Sequence, residues 1–206
     1  MNMSAANTHW VTPVSLAGKH VQLEPLARDH AKALGAAASD GDIWKLWYTA
    51  VPAPDQAETY IETALAQREI GKAMAFVVKD AAGDVVGSTR FGNIDGDNRR
   101  VEIGWTWYAA RVQRTALNTE AKLLLLTHAF ETLGAIAVEF RTSWFNHRSR
   151  TAIARLGAKQ DGVLRNHMIM PDGTRRDTVV FSIIDSEWPA VRKHLQYKLD
   201  EQAART

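Results

Sequence analysis

The chain of 206 residues is expected to form a single α/β domain: a central, twisted, mixed but mostly antiparallel sheet flanked by helices. Three observations lead there. Between Ala75 and Tyr108, three strand-like segments follow one another through Gly-, Asp- and Asn-rich turns, the pattern of antiparallel neighbours. A long amphipathic segment, Ala116 to Leu133, then carries its apolar residues at helical spacing. After it come a strand, a helix and two strands, and a strand–helix–strand passage in mid-chain requires one parallel pairing, which makes the sheet mixed.

The elements follow in order. Residues 1–17 are polar and mixed and are expected to be flexible, with the folded domain spanning 18–206. His20 to Glu24 alternates like a first strand, and Asp29 to Ala38 is Ala-rich and helical. Ile43 to Tyr48 is an aromatic cluster on a short helix or loop. Pro54-Asp55 opens a helix that runs to about Ile70, with proline in its first turn and Gly71 as its stop. Ala75 to Val78 and Val85 to Phe91 form a hairpin through Asp80 to Asp84. Asn93 to Asn98 reads as a turn, and Arg100 to Tyr108 as the third strand. The helix from Ala116 ends at Gly134. Ile136 to Thr142 is a strand, Asn146 to Leu156 a helix stopped at Gly157, and Gly162 to Met170 and Thr178 to Ile184 two strands joined through Pro171-Asp172-Gly173. A terminal helix, Ser186 to Ala204, has Ser186 as its cap and Pro189 in its first turn.

Composition excludes several classes of function. There is no cysteine, so disulfides, thiolate catalysis and cysteine metal sites are ruled out. The seven histidines show no His-x-x-x-His spacing, and no metal is expected. A net charge of +2 gives no reason to expect a nucleic-acid partner. No apolar run approaches the ~20 residues that span a bilayer, and Met1 to Pro13 lacks a basic-then-apolar signal pattern, so no membrane association and a cytoplasmic location are expected.

The most informative stretch is Arg111 to Glu120. It joins a strand to a helix start, where unpaired backbone N–H groups and the positive end of the helix dipole meet, the arrangement that binds phosphate. Arg111 and Arg114 lie in the loop and can add charge-assisted bonds to phosphate oxygens.

With this loop in place, the chain resembles the GNAT (Gcn5-related) family of acetyl-CoA-dependent N-acetyltransferases, in its RimJ/RimL-type branch. The resemblance rests on Val101-Glu102-Ile103-Gly104-Trp105, Leu117-Asn118-Thr119-Glu120-Ala121-Lys122, Asn146-His147-Arg148-Ser149, Ala152 to Ala158 and Asp161 to Arg165, and it covers roughly residues 18–195. It implies a pyrophosphate loop of the form Arg/Gln-x-x-Gly-x-Gly/Ala. Arg111 and Ala116 match its ends, whereas Arg114 stands at the central glycine, which would let backbone approach phosphate.

The resemblance further implies a coenzyme A site made of Ile103, Gly104 and Trp105, of Arg111, Val112, Gln113, Arg114, Thr115, Ala116, Leu117 and Asn118, and of Asn146 and Ser149. Ser149 would protonate the departing thiolate, with Tyr108 as a second candidate, and Glu102 would take the proton of the amine. Glu102 is alternatively a structural glutamate paired with Arg100 or Arg141 across the sheet. Trp44, Trp47, Tyr48 and His167 are expected to line the acceptor side. The implied reaction moves an acetyl group directly from acetyl-CoA to a primary amine, on a protein N-terminus or a small molecule. A non-catalytic acyl-CoA binder or sensor is the rival reading, motivated by Arg114; a ribosome-associated interaction protein is a third. A homodimer through the terminal helix or a sheet edge is compatible with the sequence.

Overall fold

The computed structural model describes residues 9–49 and 51–204. Its strands are β1 (Leu16–Ala17), β2 (Val21–Pro25), β3 (Met74–Asp80), β4 (Val85–Asp95), β5 (Arg100–Tyr108), β6 (Ala137–Ser143), β7 (Lys159–Ile169) and β8 (Arg175–Ile184). They form one sheet in the order β1-β2-β3-β4-β5-β6-β8-β7. Every neighbouring pair is antiparallel except β5 and β6, which run parallel. The helices are α1 (Ala31–Ser39), α2 (Ala57–Glu69), α3 (Leu117–Thr127), α4 (His147–Ala154) and α5 (Trp188–Ala203). The expected mixed, mostly antiparallel sheet flanked by helices is the architecture observed.

The two faces of the sheet can be told apart on β4. Successive strand residues point to opposite faces. Arg90 meets the Tyr60 ring of α2, whereas Thr89 meets Lys122 of α3. Hence α2, with α1 against it, covers one face, and α3, with α5 beside it, covers the other. Met74 to Val78 are all buried, as befits a strand covered on both sides. Phe76, Phe91 and Phe140 are fully buried in the core, and each contributes roughly 1.5–3 kcal/mol by leaving water.

Several elements differ from expectation for local physical reasons. Of the segment expected to be flexible, residues 1–8 lie outside the described residues. From Trp10 on the chain packs on the body: the Trp10 indole donates to Leu133 O at 3.1 Å, Val11 is buried, and β1 pairs with β2. Buried Glu120 of α3 accepts the backbone N–H groups of Lys19 and His20 and thereby fixes the β1–β2 turn. The expected turn at 93–98 begins later, because β4 continues to Asp95. The helix from 116 changes its winding: residues His128–Thr132 form a π-helical turn, with Leu133 N–H donating to His128 O at 3.0 Å. Ser186 is not the cap of the last helix. Glu187 occupies that position, with Pro189 in the first turn as expected. Among the described residues, no helix is long and apolar enough to cross a membrane.

Candidate active site

The parallel pairing of β5 with β6 is short. It covers Arg100↔Ala137, Val101↔Val138 and Glu102↔Glu139 and then stops, although β5 continues to Tyr108 and β6 to Ser143. The strands part like the arms of a V. On the far side of β5 the ladder with β4 is also broken, with a register shift between Ser88 and Arg90, and Trp105 takes a left-handed backbone, φ 51°. A bulge thus re-aims the strand at the point where it leaves its partner. A cleft of about 700 Å³ fills the opening.

Nine of the expected residues meet on this cleft: Tyr48, Glu102, Ile103, Gly104, Trp105, Asn118, Asn146, Ser149 and His167. Gly104 leaves room for the Glu102 carboxylate, since a Cβ would lie 2.7 Å from Glu102 Oε1 and displace it. Asn146 caps α4, its Oδ1 accepting the Ser149 N–H at 3.0 Å, so Ser149 is presented at the helix N-terminus.

Glu102 is buried, not a surface residue. Asn93 Nδ2 donates to its Oε2 at 2.6 Å, and Arg141 Nε stands 3.6 Å away. Burial raises its proton affinity above that of an ordinary glutamate; the Asn93 bond and the Arg141 charge pull the other way without cancelling this. Of the two structural partners considered for it, Arg141 is near, whereas Arg100 pairs with Glu139 at 2.5 Å. His167 Nδ1 lies 3.1 Å from Thr178 Oγ1, and burial together with Arg141 and Arg176 lowers its proton affinity.

The other expected residues lie off the cleft wall. Arg111 is held by three carboxylates, Asp40 at 3.5 Å, Asp80 at 3.6 Å and Asp84 at 3.9 Å. Its guanidinium anchors the loop to the β3–β4 turn and the end of α1 and is already neutralised. Arg111, Val112, Gln113, Arg114, Thr115, Ala116 and Leu117 do not line the cleft wall; Asn118 is the member of this stretch that does. Leu117 is buried in the core, and its N–H is taken by Thr115 Oγ1 at 3.3 Å. Gln113 Nε2 donates to Tyr108 O at 3.0 Å and braces the loop. Arg114 is exposed and carries φ 63°, so it keeps the left-handed backbone for which glycine is the easy choice. Tyr108 is buried away from the cleft, and burial raises its proton affinity, which suits neither donor nor acceptor work. Trp44 lies under the Lys45 ammonium, 5.3 Å from its ring centroid, and does not line the cleft. Trp47 instead packs on Phe145 at 5.5 Å, joining the segment before α2 to the β6–α4 connection.

Lys122 belongs to the site although it is not among the expected site residues. It is buried in the cleft wall, four residues after Asn118 on the same face of α3. Its Nζ donates to Thr106 Oγ1 at 2.6 Å and sits 3.4 Å from Thr89 Oγ1. No carboxylate pairs with it among the described residues, and burial lowers its pKa to about 7. A cation beside the leucine run of an amphipathic helix was the available signal. Arg141, Arg148 and Arg176 also line the cleft, so its walls are more basic than the overall charge suggests. Among the described residues, no group of three or more His, Asp or Glu side chains is arranged to hold a metal ion.

Comparison with known proteins agrees with this geometry. Residues 20–159 match the family model of the acetyltransferase (GNAT) domain. A candidate ribosomal N-acetyltransferase of Bacillus subtilis (strain 168), YdaF, is 29% identical over 147 residues, covering 69% of this chain and 78% of that protein. The crystal structure of a GCN5-related N-acetyltransferase from Brucella melitensis is 32% identical and superimposes with a TM-score of 0.83, over 92% of this chain and 86% of that one. Mycobacterium smegmatis RimJ, solved in complex with CoA-disulfide, shares the fold at 23% identity with a TM-score of 0.75, over 90% of this chain and 95% of that one. The chain belongs to the GNAT family of acetyltransferases.

Proposed function

We propose that this protein transfers an acetyl group from acetyl-CoA directly to a primary amine, with a protein N-terminus as the favoured acceptor. The observation that carries the reading is the V between β5 and β6. Past Glu102 the β6-facing backbone groups of Ile103, Gly104 and Trp105 have no strand partner, and the amides of a pantetheine arm can supply the missing bonds. The cleft reaches Asn118 at the start of α3, where first-turn N–H groups and exposed Arg114 suit a pyrophosphate. When bound, acetyl-CoA supplies an activated acetyl group as a thioester.

The side chains then have distinct tasks. Glu102, its proton affinity raised by burial, accepts the ammonium proton and leaves a neutral amine. The amine nitrogen bonds to the carbonyl carbon, the C–S bond breaks, Ser149 gives its hydroxyl proton to the departing thiolate, and the second proton lost by the nitrogen restores the Ser149 hydroxyl. A chain without cysteine offers no thiol for an acyl-enzyme, which supports direct transfer. The likeness to a candidate ribosomal N-acetyltransferase favours a protein amine over a small one. The rival reading as a non-catalytic binder drew on Arg114. The left-handed backbone there keeps the loop shape with the side chain outside, and that motive is correspondingly weaker.

The test is calorimetric titration with acetyl-CoA, followed by thiol release in the presence of N-terminal peptides and small amines. Micromolar binding with amine-dependent thiol release is expected. Binding with no release for any amine would favour the non-catalytic reading, and no binding would remove both.

A further inference from the structure

Arg90 is a buried cation without a counter-charge. It lies on β4, 5% exposed, with its guanidinium 5.2 Å from the Tyr60 ring centroid and 5.0 Å from that of Trp105. Its Nε is buried and has no hydrogen-bond partner, and among the described residues its side chain makes no ion pair. A guanidinium does not escape burial by losing its proton, so an unpaired one is costly. The other guanidinium with an unpartnered buried Nε, Arg176, lies in the main cleft within the field of Glu102. Arg90 has no such acid. It opens instead on a separate pocket of about 230 Å³ lined by Pro52, Gln56, Thr59, Tyr60, Thr63 and Trp105, with no carboxylate among them. The Gln56 amide and the Thr59 hydroxyl add polar groups to its wall. Trp105 lines both this pocket and the main cleft, so the two spaces are adjacent. The pocket is on the α2 face of the sheet, opposite the face covered by α3, and therefore does not compete for cofactor phosphate.

We infer that this pocket is an anion subsite for the acceptor, in which Arg90 binds a carboxylate or phosphate group carried close to the reacting amine. The inference rests on the acetyl-transfer reading and narrows its substrate class to N-terminal peptides with an acidic group near the amino end. Arg90 would hold the oxyanion through its planar fork, and the flanking rings would keep water away from the pair.

The experiment uses the full chain and three matched peptide series carrying Glu, phosphoserine or Gln, with that residue walked from the second to the fourth position. Acetylation kinetics, acetyl-CoA binding and direct peptide binding by calorimetry are measured for the wild type, Arg90→Lys and Arg90→Met. The wild type is expected to favour an acidic peptide over its Gln counterpart by about tenfold or more in kcat/KM, the scale of one charge-assisted contact. Whether Glu or phosphoserine gains more distinguishes the two sources of the oxyanion. Arg90→Met should abolish the preference by lowering kcat/KM for the acidic peptide to that for the Gln peptide, and Arg90→Lys should keep part of it. A purely structural Arg90 would lower both peptides equally, and that result, or an undiminished preference in Arg90→Met, overturns the inference. If acetyl-CoA binds but no peptide is acetylated, the transfer reading fails separately. The subsite is then judged by peptide binding alone, and equal affinity of the wild type and Arg90→Met for the acidic peptide overturns it.

Discussion

Replacing Lys122 with methionine should make the protein more stable and remove most of a pH dependence. A free lysine titrates at 10.5, whereas burial brings Lys122 down to about 7. At about 1.4 kcal/mol per pH unit this gap corresponds to roughly 5 kcal/mol of unfavourable burial at its limit. The sign follows from proton binding. Between the two values the unfolded chain holds the proton and the folded chain releases it, so stability rises with pH across that window. From pH 6 to pH 9 the wild type should gain about 3 kcal/mol from this group alone. Methionine has similar length and no charge. The two hydroxyls that Lys122 now contacts remain satisfied by each other, because Thr89 Oγ1 and Thr106 Oγ1 lie 2.8 Å apart. After subtracting about 1 kcal/mol for each lost hydrogen bond, Lys122→Met should stabilise the fold by roughly 2 kcal/mol near neutral pH. The assay is urea unfolding of both proteins at pH 6, 7, 8 and 9. Parallel pH profiles, or a Lys122→Met protein less stable at neutral pH, would refute the reasoning.

Three further outcomes are expected. Ser149→Ala should lower kcat by about a hundredfold with the acetyl-CoA Kd nearly unchanged, the usual effect of losing a general acid; steady-state thiol release checks it, and an unaltered kcat would remove Ser149 from the reaction. Gly104→Ala places a methyl group 2.7 Å from Glu102 Oε1, so Glu102 must move; kcat/KM should fall by about tenfold or more with a stability loss of only about 1 kcal/mol, measured by thiol release and thermal unfolding. Arg111→Ala should cost about 1 kcal/mol at low salt and less at high salt, since its three ion pairs are partly exposed and screened; calorimetry should show a smaller effect on acetyl-CoA affinity than for Arg114→Ala.

Local patterns reach only local structure. The alternation of Arg100 to Tyr108, the proline at the head of α2 and the Asn146 cap depend on residues near one another in the chain, and these were legible. Arg111 looked like a phosphate ligand because its partners Asp40, Asp80 and Asp84 are remote in sequence and meet it only in the folded chain. The Asn93–Asn98 stretch is rich in turn residues, yet β4 runs through its first part because Phe91, Gly92 and Asp95 find partners on β5. The start of β7 at Lys159 was hidden in the same way: Asp161 is a poor strand former, but its carboxylate accepts the Ser182 hydroxyl at 2.9 Å. The burial of Arg90 and Lys122 is a property of the assembled layers rather than of their neighbours in the chain. The left-handed backbone of Arg114 was signalled only by the resemblance, at whose central glycine it stands.

Within the sheet, three rungs between β5 and β6 join two otherwise better-bonded blocks, β1 to β5 on one side and β6, β8 and β7 on the other, with α3 against α5 as a second bridge. A molecule hydrogen-bonded along the inner edge of the V would act as mortar in that joint, completing a sheet that the polypeptide leaves unfinished. Ligand at a hundred times its Kd would add about 2.7 kcal/mol to the stability of the whole. The gain would extend beyond the atoms touched. Amides of β6 and β8 would exchange more slowly with solvent, because the two blocks would then open as one.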